Sequence, residues 1–333
     1  MLLHGLGSIK TPSLFLDIER IRRNAERMSE VALRNNVRLR PHIKTHKCIE
    51  VTRIQTAGHN GAITVSTLAE AKAFAKHEFN DITYAVPIEP GKFAEAIEIL
   101  RGGVKLNVLT DDAETTKALD EAAGKAGVKF DIFVKIDCGT HRVGVEPHTA
   151  EAVEIPQTIW DAKNLNFAGI LTHAGHSYDV RTREEILEVA RHERDVMVEL
   201  AERLRHLSIE VPTVSIGSTP TMSLIDHLEG IDEIRPGNYI FYDNYQATLG
   251  SCSFEDTALT VLAAVVHRDL SRNKLVIDAG GIALSKDPGP VGLDPTCGYG
   301  RVLDVDGNET GLRVTGLSQE HGEIIAADVA TID

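Results

Sequence analysis

Between Val37 and Tyr242 the chain alternates, eight times over, between a short apolar run and a stretch of helical character. The apolar runs are 37–43, 61–66, 81–86, 105–109, 130–136, 167–173, 213–217 and 233–241. Amphipathic segments such as 67–76, 91–101, 111–126 and 182–208 lie between them. Continuous apolar runs separated by apolar positions at every third or fourth residue predict strands joined by helices, that is, parallel βαβ units. Eight such units within roughly 200 residues fit an α/β fold of the (β/α)8 TIM-type barrel class better than a doubly wound open sheet. Ahead of them, Ser13 to Asp17 is β-like, and Ile18, Ile21, Ala25, Met28 and Ala32 mark a helix. After Asp243 the rhythm changes. Segments 259–267, 274–279, 301–305 and 312–316 are β-like, with Gly, Asp and Pro turns between them. The expectation is a barrel over 18–245 and a second, mostly β domain formed by 1–17 and 246–333. A linker is expected near 243–257, with the strand at 13–17 pairing in the β domain.

Charge narrows the partners. The chain carries 35 basic and 49 acidic side chains, a net charge of −14, which disfavours nucleic acid and anionic membrane surfaces because both require a basic footprint. Its 333 residues, 42% of them apolar, can bury a sizeable core without staples. Cys48, Cys138, Cys252 and Cys297 form no C-x-x-C pair and read as reduced thiols of a cytoplasmic protein. Met1 to Gly5 lacks the basic start of a signal peptide, and no apolar run approaches the ~20 residues of a membrane span.

The side chains just beyond each barrel strand face a common mouth, and here they carry the chemistry. The first run leads into Arg40-Pro41-His42-Ile43-Lys44-Thr45-His46. A lysine there, in an apolar setting, is placed to lose its proton by desolvation, and the free amine is the form that attacks a carbonyl to give a Schiff base. Gly217-Ser218-Thr219-Pro220-Thr221 reads either as a phosphate cup or as a plain Ser/Thr helix cap. Gly237 and Asn238 after the eighth run would add N–H donors where barrel phosphate sites commonly lie. His173 ends the sixth run and would stack on a flat ring, act as a base, or simply fill the core; His176 and Tyr178 share its loop. Arg142 and Arg235 would bond a ring nitrogen or phenolate, or pair with a carboxylate such as Asp137. His42 and His46 straddle a strand end, so their spacing is a weak metal signal, and His267-Arg268-Asp269 reads as a turn.

These residues sit in longer blocks: Thr11-Pro12-Ser13, Arg40-Pro41-His42-Ile43-Lys44-Thr45, Thr64-Val65-Ser66-Thr67-Leu68, Leu171-Thr172-His173-Ala174-Gly175, Gly217-Ser218-Thr219-Pro220-Thr221, Tyr239-Ile240-Phe241-Tyr242-Asp243, Asp278-Ala279-Gly280 and Gln319-Glu320-His321-Gly322. Over nearly the whole chain they resemble the D-threonine aldolase and D-serine dehydratase family, which has the alanine-racemase type of pyridoxal phosphate fold. The wording, with Cys297-Gly298-Tyr299-Gly300, looks closer to the aldolase branch. The resemblance implies that Lys44 holds pyridoxal 5′-phosphate as a Schiff base. It places Gly217, Ser218, Thr219, Gly237 and Asn238 at the phosphate, Arg142, His173 and Tyr178 by the ring, and Arg235 at the pyridine nitrogen, with His173 or His176 as the base. It further implies a homodimer, an amino acid substrate and a divalent metal (Mn, Mg or Zn). Members of the family continue past Glu-His-Gly to a Pro-Asn-His-x-Cys segment that ligates the metal. This sequence reaches Ile332-Asp333 first, so the β domain is expected to be C-terminally incomplete and no metal ligand is named.

The expected activity is thus cleavage of a D-3-hydroxy amino acid, first of all as a D-threonine aldolase yielding glycine and an aldehyde. The alternative is a D-serine dehydratase-type elimination yielding a 2-oxo acid and ammonia. A non-catalytic pyridoxal phosphate carrier would not need the second domain. A metal-dependent hydrolase would leave Lys44 and the 217–221 loop unexplained.

Overall fold

The computed structural model describes residues 6–287 and 289–332; Met1–Gly5, Pro288 and Asp333 lie outside the described residues. The chain forms two units, Arg22–Ile240 and the residues on either side of it. In chain order the elements are β1 (Ser13–Leu16), α1 (Ile18–Arg34), β2 (Arg38–Leu39), α2 (Ile49–Gln55), β3 (Ile63–Val65), α3 (Leu68–Ala75), β4 (Asp81–Pro87), α4 (Phe93–Arg101), β5 (Lys105–Thr110), α5 (Ala113–Ala126), β6 (Phe130–Lys135), α6 (Glu151–Asp161), β7 (Leu165–Leu171), α7 (Arg183–His206), β8 (Val214–Ile216), α8 (Thr219–Leu224) and β9 (Glu233–Ile234). There follow α9 (Asn244–Leu249), β10 (Leu259–Leu262), β11 (Val265–Asp269), β12 (Lys274–Ile277), α10 (Gly281–Leu284), β13 (Arg301–Leu303), β14 (Glu309–Leu317) and β15 (Gly322–Ile325).

In the first unit eight parallel strands run in the order β2-β9-β8-β7-β6-β5-β4-β3. Thr64 N donates to Pro41 O at 2.9 Å and a parallel bridge joins His42 to Thr64, so β3 meets the end of β2 and the sheet closes. This is the (β/α)8 barrel that the alternation predicts. Two strands are shorter than their apolar runs. Proline lacks a ladder donor and restricts the residue before it. Pro41 and Pro236 therefore end regular pairing at Leu39 and Ile234, and the remainder of each run becomes site-forming loop. Helix α6 contains Pro156, a residue that reads as a breaker in sequence.

The polar residues near the strand starts form one network. Arg40 Nε donates to Glu233 Oε2 at 2.7 Å and its Nη1 to Asp81 Oδ1 at 2.6 Å. Ser215 Oγ donates to Glu233 Oε1 at 2.7 Å. Burial alone would push the Glu233 carboxyl up, but Arg40 and Arg235 beside it hold it below the ordinary range.

In the second unit β1 pairs antiparallel with β10, Ser13 opposite Leu262 and Leu16 opposite Leu259. A five-stranded antiparallel sheet runs β11-β12-β15-β14-β13. Its core is Leu275, Ile277, Ala279, Val314, Ile324 and Val329. Asp278 accepts from Thr11 Oγ1 at 2.5 Å and from Ala264 N at 2.7 Å, which ties the N-terminal arm to this unit. Gly280 has no room for a side chain: a Cβ there would lie 2.4 Å from His321 N, so the Asp-Ala-Gly and Glu-His-Gly blocks meet backbone to backbone. The segment read as a linker, 243–257, contains α9, whose N-cap Asp243 accepts from Gln246 N at 2.8 Å. Among the described residues no helix is long and apolar enough to cross a membrane.

Candidate active site

Lys44 lies one turn beyond β2, on the 3-10 segment Ile43–Thr45. The fully buried Ile43 anchors the turn, and His42 caps it by accepting from Lys44 N at 3.3 Å through Nδ1. The Lys44 side chain reaches solvent at the mouth, yet the surrounding protein strips enough water to lower its pKa, and the nearby Arg142 lowers it further against the opposing pull of Glu70. The His42 imidazole is pushed well below its ordinary value by burial, then by Lys44, His173 and Arg235. His173 is pushed down to about 3 by burial, then by Lys44 and Lys135; it is a neutral ring whose Nδ1 faces Gly217 O at 3.4 Å. The lysine, both histidines and Arg235 therefore share one small volume.

The loop after β6 carries Arg142, which is exposed. Asp137 builds that loop: its Oδ1 accepts from the N–H groups of Gly139 (2.9 Å), Thr140 (2.9 Å) and His141 (3.1 Å). Thr140 then clamps it to the loop after β7, donating to His173 O at 3.0 Å and accepting from Gly175 N at 2.8 Å. His176 packs over the same loop, 3.4 Å from Thr140 Oγ1, with its pKa lowered mainly by burial. Tyr178 ends the 3-10 segment Gly175–Tyr178.

After β8 comes the loop read as a cup. Ser218 is the N-cap of α8 in a full capping box with Thr221, and its hydroxyl also meets Ser177 Oγ at 2.9 Å. That side chain is committed to shaping the turn. Thr219 Oγ1 accepts from Tyr239 N at 3.2 Å and so keeps its proton to donate. Two glycines let the loops pack closely on their neighbours here. Gly217 has φ +114, and a Cβ there would strike Met222 at 2.9 Å; at Gly237 it would lie 2.6 Å from His42 O. Asn238 opens the 3-10 segment Asn238–Ile240. Arg235 is fully enclosed and bonds Ser215 Oγ and the Thr172 carbonyl. Burial pushes its pKa down to about 10, against Glu233 and Glu193.

Two buried charges here escaped the reading by strand ends. Lys135 closes β6 with Nζ donating to Ile136 O at 2.8 Å, and burial pushes its pKa down to about 8. Glu193 sits on the inward face of α7. Each interrupts an apolar pattern, which is the signal by which it can be found: Lys135 follows the apolar run Ile132–Val134, and Glu193 falls in the Ile186, Ala190, Met197 stripe. Two surface cavities lie elsewhere. One of about 600 Å³ is lined by Arg53, His59, His77 and Lys105, and one of about 560 Å³ lies against α6 and α7; neither touches Lys44.

An amine with a lowered pKa, flanked by neutral imidazoles and a cradle that admits no Cβ, is chemistry suited to an aldehyde cofactor with an anionic handle. Residues 16–245 match the family model "Alanine racemase, N-terminal domain", and residues 258–331 match a serine dehydratase domain model. The chain belongs to the D-serine dehydratase, D-threonine aldolase and 3-hydroxyaspartate lyase family of pyridoxal phosphate-dependent proteins.

Relatives at this similarity span nearly its whole length. D-threo-3-hydroxyaspartate dehydratase of Delftia sp. (strain HT23) is 37% identical over 327 residues, covering 98% of this chain and 86% of that one. D-serine dehydratase of Dictyostelium discoideum is 37% identical over 350 residues, 98% of this chain and 87% of that one. D-threonine aldolase of Arthrobacter sp. is 31% identical over 324 residues, 96% of this chain and 81% of that one. The solved Delftia structure superposes with a TM-score of 0.93, covering 96% of this chain and 85% of that one. An alanine racemase of Clostridium difficile 630, at 15% identity and a TM-score of 0.69, shows the shared fold alone.

A D-threo-3-hydroxyaspartate dehydratase has also been solved as a cysteine mutant in the metal-free form. Among the described residues one group brings three ligand atoms within 4.8 Å of one another: Asp137, His141 and Glu146. It has one nitrogen and two oxygens but no thiol, and His141 Nδ1 already spans both carboxylates, at 3.4 and 3.2 Å. The neighbouring Cys138 is buried, and burial pushes its thiol up to about 12, which suits it poorly as a thiolate ligand.

Proposed function

We propose that this protein is a dehydratase of small D-3-hydroxy amino acids, yielding a 2-oxo acid and ammonia, with Lys44 as the residue that carries pyridoxal 5′-phosphate. The observation that carries the reading is the Lys44 amine, held below its ordinary pKa beside the Gly217–Gly237 cradle. The greater identity to two dehydratases, 37% against 31% for the aldolase, supports elimination over retro-aldol cleavage. When bound, the cofactor supplies a ring that accepts the electron pair left at Cα.

The chain's own residues do the rest. The closely packed loops at Gly217 and Gly237 would hold the phosphate, with Thr219 Oγ1 and the backbone around Asn238 donating to it. Arg142, His173 and Tyr178 would line the ring, and Arg235 would stand at the pyridine nitrogen. Lys44 Nζ, with its pKa lowered by burial and Arg142, would be the base at the substrate's Cα proton. His173, neutral through the whole physiological range, can turn its one N–H to Gly217 O through Nδ1 and accept at Nε2, a positioning group and not a general acid. His176 stands closer to solvent and serves the β-hydroxyl, which leaves as water. The resulting enamine tautomerises and is hydrolysed, so water is returned and ammonia is released. A divalent metal and a homodimeric assembly belong to the same proposal; loss of turnover on chelation and the solution mass test them.

Product analysis decides the reaction. The protein, loaded with pyridoxal 5′-phosphate and supplied with Mn, is incubated in turn with D-threo-3-hydroxyaspartate, D-serine and D-threonine. A 2-oxo acid with equimolar ammonia is the expected result. Glycine with an aldehyde would assign it to the aldolase reaction, and bound cofactor with no turnover would leave a carrier.

A further inference from the structure

Glu193 is fully buried in the middle of α7. Its Oε1 accepts from Ala174 N at 3.0 Å and from Gly217 N at 3.1 Å, and its Oε2 accepts from Thr221 Oγ1 at 3.1 Å. Ala174 follows His173 on the loop after β7. Gly217 precedes Ser218 and Thr219 on the loop after β8, and Thr221 completes the capping box of α8. A single carboxylate behind the barrel mouth therefore fastens two loops that are joined at the front by the 3.4 Å contact of His173 Nδ1 with Gly217 O. Burial raises its proton affinity, while the three donors and Arg235 favour the charge. An unpaired buried carboxylate is costly, so its presence on an otherwise apolar helix face calls for a local function.

We propose that Glu193 is a positioning residue that sets the shape of the phosphate cradle and the height of His173 above it. This rests on reading 217–219 as the phosphate site, so the test separates the two claims. Two ligands, pyridoxal 5′-phosphate and pyridoxal, differ only in the phosphate. Their affinities are measured by absorbance titration for the parent protein and for Glu193→Ala, Glu193→Asp and Glu193→Gln, with phosphorus NMR of the bound phosphate. Glutamine keeps an acceptor for both N–H groups, and the Thr221 hydroxyl can turn to accept from its amide. Alanine removes the acceptors, and aspartate withdraws them by one methylene.

Glu193→Ala and Glu193→Asp are expected to weaken pyridoxal 5′-phosphate about tenfold or more, the scale of one charged hydrogen bond. Pyridoxal affinity should change far less, and the phosphorus resonance should shift. Glu193→Gln should restore both to near parent values. If Glu193→Ala does not fold, the aspartate variant carries the same comparison. Equal loss for both ligands, or parent affinity in both the alanine and aspartate variants, would overturn the proposal. A parent protein that binds no pyridoxal 5′-phosphate would instead overturn the functional reading beneath it.

Discussion

Replacing Arg40 by methionine tests how the barrel carries its buried charge. The guanidinium is 2% exposed and bonds Glu233 at 2.7 Å and Asp81 at 2.6 Å. The two carboxylates would fare differently without it. Asp81 keeps 24% of its side chain exposed and has Lys105 at 3.8 Å, so water can take over. Glu233 has no exposure and would retain Ser215 Oγ at 2.7 Å, the half-exposed Arg38 at 3.7 Å and the field of Arg235. Breaking a buried pair from one side costs about 3–5 kcal/mol, and those residual partners put Arg40→Met near the lower end. Adding Glu233→Gln removes the stranded charge and should recover about 2 kcal/mol, a coupling that a double-mutant cycle reads directly. Trp160, the sole tryptophan, stands on α6 in the barrel unit, so urea unfolding followed by its fluorescence reports on the barrel.

The pH dependence has a definite sign. The Glu233 carboxyl is held below its ordinary range, so it contributes stability above that range and loses it as pH falls through the lowered native value. Without Arg40, burial prevails and Glu233 protonates at higher pH. The gap between parent and variant should therefore narrow on acidification. A cost under about 1 kcal/mol, the range of an exposed ion pair, would refute the reasoning. So would a cost that Glu233→Gln leaves unchanged.

Lys44→Ala should abolish both the absorbance of the lysine-bound cofactor and turnover; retained turnover would move the cofactor lysine elsewhere. Ser218→Asp should weaken pyridoxal 5′-phosphate at least about tenfold by charge repulsion without unfolding α8, because aspartate is an equally good N-cap; cofactor titration with a melting curve checks both. Cofactor capture in the parent should have its alkaline midpoint below that of an ordinary lysine. In Arg142→Ala that midpoint should rise, since a neighbouring cation that penalises the ammonium is gone; a stopped-flow pH series measures it. His173 should contribute no inflection to the kcat profile between about pH 5 and 9, because its pKa is pushed down to about 3; an inflection in that window that His173→Gln removes would contradict its neutral assignment.

The strands were legible because barrel strands are buried on both faces and so read as unbroken apolar runs. The cores of β5 and β6, Val108–Leu109 and Ile132–Val134, are of this kind. Lys44 was legible as an anomaly, a lysine following Pro41 and His42 where burial is expected. What the prolines did to β2 and β9 follows from their missing donors, yet the exact turn that places Lys44 depends on Ile43 packing and the His42 cap. Thr140 shows where sequence runs out. Its role is a pair of bonds to His173 and Gly175, more than thirty residues away, and nothing in its own neighbourhood marks it. Ser218 is an intermediate case. Its cap chemistry is readable from Ser-Thr-Pro-Thr, but whether the hydroxyl is consumed by that cap or offered to a ligand is fixed by Ser177 on another loop.

The electrostatics of the mouth run against those of the chain. With 14 more acidic than basic side chains overall, the molecule nonetheless gathers Lys44, Lys135, Arg142 and Arg235 around two histidines. Burial and mutual repulsion depress the basic groups there: His173 to about 3, Lys135 to about 8 and Arg235 to about 10. Glu193 and Glu233 offset part of this from below, but both are fully engaged by backbone, hydroxyl and guanidinium donors. Such a cluster is stabilised by an anion entering from the mouth, because an opposite charge offsets the desolvation and mutual repulsion that the cations suffer. A dianionic phosphate and a substrate carboxylate supply that charge. The same surplus, through Arg142, adds to the burial that lowers the Lys44 pKa, so the field that draws in the cofactor also favours the free amine that captures it.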